Sequence, residues 1–233
     1  MDTYTPPNAS SGVRHGMVTV PTDRADAAVL SSSLNAMASV VVAPRMKPAL
    51  EPLARSLRDA PVVNRDGYQY FVHGVTDGIP PLEPDVLRSV IDGINDRVDL
   101  EGVDVLIAPE AMGIHHATAL SLAADVPFAV VRKRSYGFDD EIAVHQETSY
   151  GESELYLNGV DAGDRVVVID DVYSSGGTIE AVCGALERAD AEIIDVVTVL
   201  RRVDVDRPDL EHEVASVLDV RVIDGQVEVS ESN

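Results

Sequence analysis

Val166-Val167-Val168-Ile169-Asp170-Asp171-Val172-Tyr173-Ser174-Ser175-Gly176-Gly177-Thr178 runs from an unbroken apolar stretch, through two adjacent acids, into a loop of small residues. Four β-branched residues in a row predict a strand buried on both faces at 166–169, and helical spacing resumes at 177–188. Working outward, the same alternation recurs. Short apolar runs at 103–108, 126–131 and 193–200 read as strands, and 114–123 reads as a helix. Further upstream, Leu50, Leu53, Ala54 and Leu57 share a helical face, as do Leu87, Val90, Ile91, Ile94 and Val98. A strand is also expected at 68–72, before the turn Asp77-Gly78-Ile79-Pro80-Pro81. Apolar strands separated by helices indicate an α/β fold whose parallel sheet is flanked by helices. In such sheets ligands collect at the carboxyl ends of the strands.

The chemistry of 170–178 follows from its residue types. Glycines let backbone N–H groups approach a phosphate, hydroxyls add donors, and the following helix N-terminus supplies partial positive charge. Paired acids beside that cradle suit a ribose diol, or Mg²⁺ bound through water or sugar oxygens. No Lys-Ser/Thr follows the glycines and no G-x-G-x-x-G opens a helix, which excludes the Walker-type loop and the dinucleotide fingerprint. The segment 132–160 is polar, lacks a helical period, and is expected to be a long functional loop.

Charge bounds the partners. Forty acids against 18 bases leave a net charge of −22, and only Lys47 and Lys133 among the bases are lysines. Such a surface repels nucleic acid and anionic lipid, so neither is an expected partner. A 45% apolar content excludes global disorder, and the acidity suits a salt-rich cytoplasm where screening removes self-repulsion. Residues 1–45 balance three acids against three bases, so 46–233 carries all of the excess. The segment 1–45 is expected to be a disordered extension, or to precede a natural start at Met46. One cysteine, Cys183, excludes an intramolecular disulfide. The longest apolar run, near 36–43, is too short for a bilayer, and a cytoplasmic location is expected.

Several motifs together resemble the type I phosphoribosyltransferases, in particular an archaeal hypoxanthine/guanine phosphoribosyltransferase-like subfamily with adenine-type motifs. Residues 166–178 resemble the phosphoribosyl pyrophosphate (PRPP) signature, and Pro109-Glu110-Ala111-Met112-Gly113-Ile114 resembles the pyrophosphate loop. Val131-Arg132-Lys133-Arg134 resembles the basic strand end of adenine-type members, and Tyr150-Gly151-Glu152-Ser153-Glu154-Leu155 their flexible loop. Tyr70-Phe71-Val72-His73 and Thr76-Asp77-Gly78-Ile79-Pro80 complete the likeness, which spans about 47–203.

The resemblance implies transfer of 5-phosphoribosyl from PRPP to a purine base, hypoxanthine or guanine in preference, with Mg²⁺ as cofactor. It implies catalytic roles for Asp170, Asp171 and Lys133, and PRPP binding by Asp170, Asp171, Ser174, Ser175, Gly176, Gly177 and Thr178, with the two acids placing Mg²⁺ indirectly. Pyrophosphate would be held by Glu110, Ala111, Met112, Gly113, Arg132 and Lys133. Met112 departs from the arginine often found there. Within a domain at 46–233, 60–82 would form a small hood and 135–154 a closing loop with Tyr150 and Glu152 as lid residues. Phe71 or Tyr70 would stack on the base, or else form hood core. His73 and His145 read as surface histidines, His115 and His116 as a poor metal pair, and Cys183 as a small core residue. Related enzymes are usually dimers, so a homodimer or larger homo-oligomer is expected. The competing function is a non-catalytic sensor of PRPP or nucleotides on the same fold.

Overall fold

The apolar run at 166–169 lies in the middle strand of a six-stranded sheet. The computed structural model describes residues 46–65, 68–148, 151–207 and 210–232, and the expected extension 1–45 lies outside them. In chain order the elements are α1 (Glu51–Arg58), β1 (Val62–Arg65), β2 (Tyr68–Phe71), α2 (Gly74–Asp77) and α3 (Pro84–Asn95). Then come β3 (Val105–Pro109), α4 (Gly113–Ala124), β4 (Phe128–Val131), β5 (Ile142–Thr148) and β6 (Gly151–Leu157). The chain continues with β7 (Arg165–Tyr173), α5 (Gly177–Arg188), β8 (Glu192–Arg202), β9 (Val214–Ile223) and β10 (Gln226–Glu231).

The main sheet has the order β10-β9-β8-β7-β3-β4, parallel except for β10, which runs antiparallel to β9. From its centre the chain winds outward in opposite directions, β3 to β4 on one side and β7 to β8 to β9 on the other. The topological switch point therefore lies between β3 and β7, where a crevice opens at the strand ends. Leucines and valines of α1, α3 and α4 bury one face of the sheet, and α5 with the β5–β6 hairpin buries the other.

The face of α3 differs slightly from expectation. Val86, Ser89, Val90, Gly93 and Ile94 are buried, whereas Leu87 is only half-buried, which rotates the stripe by about one residue. Gly93 allows this close approach, because a Cβ there would collide with Val217 Cγ1 and come within 2.9 Å of Leu50 Cδ2. Gly93→Ala is expected to lower unfolding free energy by about 1–3 kcal/mol through overpacking, seen as a lower thermal midpoint.

Two expectations need correction. The segment 132–160 is not an irregular loop: 142–157 forms an antiparallel hairpin in register Ile142↔Leu157 through Thr148↔Gly151. Val144, which lies within the expected closing loop, and Leu155 and Leu157 just past it are buried in the cluster that α5 joins. The strands β9 and β10 follow the last strand expected from sequence. A two-residue turn, Asp224-Gly225, joins them with both residues at positive φ, the geometry that matches the twist of flanking strands.

Candidate functional site

Three adjacent strands end side by side at the switch point, each carrying one of the motifs. The central one, β7, extends beyond its neighbour. Its pairing with β3 stops at Ile107↔Val168, while pairing with β8 continues to Tyr173↔Arg201. Asp170 and Asp171 thus lie within an overhanging strand, not past its end, and the Asp170 carboxyl reaches toward the start of α4. Asp170 is buried and its Oδ1 accepts the backbone N–H of Asp171 at 2.9 Å.

Burial raises the pKa of both carboxyls. For Asp170 it reaches about 6, with desolvation outweighing the hydrogen bonds from Asp171 and the charge of Lys133, which pull it down. Asp171 is raised well above the ordinary value by desolvation and by the neighbouring Asp170 charge. Two adjacent carboxylates withheld from water retain a proton that isolated acids would release.

From the other side of the crevice, α4 begins almost on top of this pair. A Cβ on Gly113 would lie 2.9 Å from Ile169 O and 3.4 Å from Asp170 Oδ1, so glycine is required where the loop after β3 crosses β7. The Glu110–Ala111 peptide in that loop is cis. The third strand end, β4, leads into Arg132, which bridges Tyr156 of β6 through paired backbone hydrogen bonds of 2.9 and 2.7 Å. This bridge anchors the basic strand end to the hairpin.

Most cations among the described residues serve as staples. Arg201 forms a forked pair with Asp219 at 2.8 and 2.9 Å, and Arg202 does the same with Asp204 at 2.7 and 2.8 Å. Arg97 donates to Gly93 O and Val217 O at 3.0 and 2.6 Å. Lys133 is different. It is exposed, makes no ion pair among the described residues, and acts on Asp170 through its charge. Arg134 sits 4.9 Å above the Tyr136 ring and is exposed. Past it, Glu141 gathers the turn by accepting from Ser135 Oγ, Tyr136 N and Asn158 Nδ2, which hold its pKa down to about 2.

The loop after β7 enters α5 through Gly176, whose φ of 89° is left-handed and suits glycine. No side-chain hydrogen bond caps that helix, and its N-terminus turns partial positive charge toward the loop. Ser174, Ser175, Gly177 and Thr178 around it are half-buried.

A model of the phosphoribosyl transferase domain matches residues 82–230. The chain belongs to the phosphoribosyltransferase family. It is 73% identical over 186 residues to "HGPRTase-like protein 3" of Haloterrigena turkmenica, covering 80% of this chain and all of the relative. It is 51% identical over 181 residues to "HGPRTase-like protein 2" of Haloquadratum walsbyi, covering 77% and 99%. In fold it is similar to the adenine phosphoribosyltransferase of Rhodothermus marinus, with a TM-score of 0.60, 24% identity, and coverage of 73% and 98%. The sheet of this phosphoribosyltransferase therefore has the type I architecture expected from the motifs.

The segment 60–82 of the phosphoribosyltransferase, expected to form the hood, holds the antiparallel β1–β2 pair, α2 and the turn through cis Ile79–Pro80. Met112 reaches toward it: its Cε would lie 3.8 Å from a Cβ on Gly78. Phe71 is buried in the core beneath Arg202, whose guanidinium lies 5.9 Å from the ring centre, so Phe71 is hood core and not a base platform. Tyr70, half-buried on the alternate face of the hairpin, is the remaining aromatic candidate.

His73 is buried, contrary to expectation. Its Nδ1 accepts from Val75 N at 3.2 Å, capping α2, and its Nε2 lies 3.1 Å from Ser56 Oγ. His116 is also buried and contacts Val75 O at 3.2 Å, so two histidines hold the N–H and the C=O of one residue in a four-residue helix. Burial lowers the pKa of both, that of His116 to about 3. Their signal in sequence was weak, since neither lies in a periodic apolar pattern. His145 is exposed, and Cys183 is buried with its thiol pushed up to about 12. Tyr150 lies outside the described residues; of Glu152 only the backbone pairing with Glu147 is described. Among the described residues no helix is long and apolar enough to cross a membrane.

Proposed function

We propose that the chain transfers 5-phosphoribosyl from PRPP to a purine base, giving a nucleoside monophosphate and pyrophosphate. The observation that carries this reading is the meeting of the buried acid pair with Lys133 and Gly113 across the β3–β7 crevice. A nitrogen of the base forms the new bond to C1 of the ribose. The C1–oxygen bond breaks, its electron pair leaves on pyrophosphate, and the proton from the base passes to solvent. Cationic character develops at the ribose in the transition state, so orienting the base and stabilising the leaving anion are the tasks left to the protein.

Arg132 and Lys133 take the pyrophosphate charge, with Ala111, Met112 and Gly113 of the loop that starts at Glu110 supplying backbone donors. Asp170 and Asp171 hold the ribose hydroxyls, and the uncapped start of α5 with Ser174, Ser175, Gly176, Gly177 and Thr178 holds the 5′-phosphate. Two hard carboxylate donors, with no third acidic, histidine or cysteine ligand among the described residues, fit Mg²⁺ shared with substrate oxygens. When bound there, Mg²⁺ neutralises charge on the ribose and pyrophosphate oxygens.

Relatives named HGPRTase-like favour hypoxanthine or guanine as the base. Their haloarchaeal sources and the net charge of −22 support work at molar salt. The test is to offer the protein each purine separately with PRPP and Mg²⁺ at molar KCl, and to follow monophosphate chromatographically. Product with hypoxanthine or guanine is the expected result. PRPP binding without product from any base would overturn the reading in favour of a sensor.

A further inference from the structure

We infer that the Glu110 carboxylate is an internal stand-in for pyrophosphate, occupying the anion position of the free enzyme and yielding it when substrate binds. The inference rests on the substrate reading above and deepens it.

Glu110 follows the last residue of β3, and its backbone N–H is fixed to Val131 O at 2.9 Å. From there its side chain crosses to the neighbouring strand end. One oxygen, Oε2, lies 3.0 Å from Arg132 Nε and accepts the backbone N–H of Lys133 at 3.3 Å. A guanidinium and a backbone amide converging on one oxygen form an anion site, here filled by a residue of the same chain. The fit is incomplete. Arg132 Nε is buried, and its N–H makes no hydrogen bond despite the short distance. The carboxylate thus satisfies the charge of Arg132 without satisfying that donor.

The pair is also weak enough to exchange. Its side chains are 38% and 28% exposed, and partly solvated ion pairs hold their partners only weakly. Pyrophosphate carries several charges and more oxygens, so it outcompetes one carboxylate for both donors. In the empty site Glu110 keeps Arg132 and the start of the basic segment in place. After transfer, the returning carboxylate helps expel the product.

The experiment titrates inorganic pyrophosphate into the full chain with Mg²⁺ in excess at molar KCl, by calorimetry. Salt at that level shortens the screening length to about 3 Å, removing through-space repulsion while leaving contact competition. Glu110→Gln and Glu110→Asp are each expected to bind pyrophosphate about 5–10-fold more tightly than wild type. KM for PRPP falls by a similar factor, and kcat falls because product leaves more slowly. The aspartate variant is decisive, since it keeps the charge but is one methylene too short to span the gap. Tightening in Glu110→Gln alone would mean general charge repulsion and would overturn the inference. Unchanged or weaker binding in both variants would overturn it too, making Glu110 an aligning partner. If neither wild type nor variants bind pyrophosphate, the substrate reading falls and the inference falls with it.

Discussion

Replacing Asp171 with Asn is expected to lower turnover by about 10²–10³-fold while making the substrate-free protein more stable. Both effects have one cause. Asp170 and Asp171 are adjacent carboxyls held from water, and burial raises the pKa of each. In the unfolded chain both ionise near the ordinary value of 3.8, whereas in the fold the pair resists losing its protons. The stabilising contribution of such acids is complete below 3.8 and is lost as pH rises through the folded values, about 6 for Asp170. Above about pH 6 the wild type therefore bears the cost of an ionised Asp170, and Asn at 171 removes the neighbouring carboxyl that adds to that cost. Thermal unfolding of both proteins across pH checks the sign: the advantage of the variant should open as pH rises and vanish under acid conditions. A variant that is destabilised at pH 8, or fully active, would remove Asp171 from this account.

Lys133→Met is expected to have the second large effect, on rate and on pH dependence together. Its exposed ammonium is assigned to the leaving pyrophosphate, and loss of one such electrostatic contact typically costs about 10²–10³-fold in turnover. The same charge also holds the Asp170 carboxyl down, against the larger upward push of burial. Substrate binding requires an ionised Asp170, so activity should rise with pH through about 6 in the wild type. Without the lysine charge, that acid limb should move to higher pH. Lys133→Arg preserves the field and should leave the limb near its original position. Profiles of kcat/KM for the three proteins report this directly, and an unmoved limb in Lys133→Met would separate Lys133 from the acid pair.

How much of this was readable beforehand depended on how each segment is buried. The run 166–178 was legible because a strand apolar on both faces, two acids and a glycine loop rarely coincide without a ligand. Helix Gly177–Arg188 emerged with the expected bounds, since its period and its glycine start agree. The β5–β6 hairpin was missed although Val144, Leu155 and Leu157 alternate with polar neighbours. Each arm buries only one face, and the acids between them imitate a solvated loop. The hairpin β9–β10 carried its own mark, Asp224-Gly225 between apolar runs, but lay beyond the span of the recognised motifs.

Side-chain roles were harder to foresee than elements. Phe71 and Tyr70 are neighbours of the same aromatic type, and only strand alternation decides which faces the core. His73 looked exposed because its partners, Val75 N and Ser56 Oγ, come from a four-residue helix and from α1. Glu110 was expected among the pyrophosphate ligands for its loop position. That its carboxylate pairs with Arg132 and accepts the backbone N–H of Lys133 depends on the β3–β4 register, which no local pattern encodes.

The opposite winding of the two halves of the sheet also bears on how the molecule holds together. β3 and β7 meet through only three residue pairs, from Val105↔Val166 to Ile107↔Val168, and the ligand crevice opens just past the last of them. That ladder is a short seam between segments distant in the chain, formed late if contacts of large sequence separation close slowly. A substrate gripped by β4 and α4 on one side and by β7 and α5 on the other is a stitch across the seam. Occupancy should then bind two folding units into one, so that amide exchange in β3 and in β7 slows together when the crevice fills.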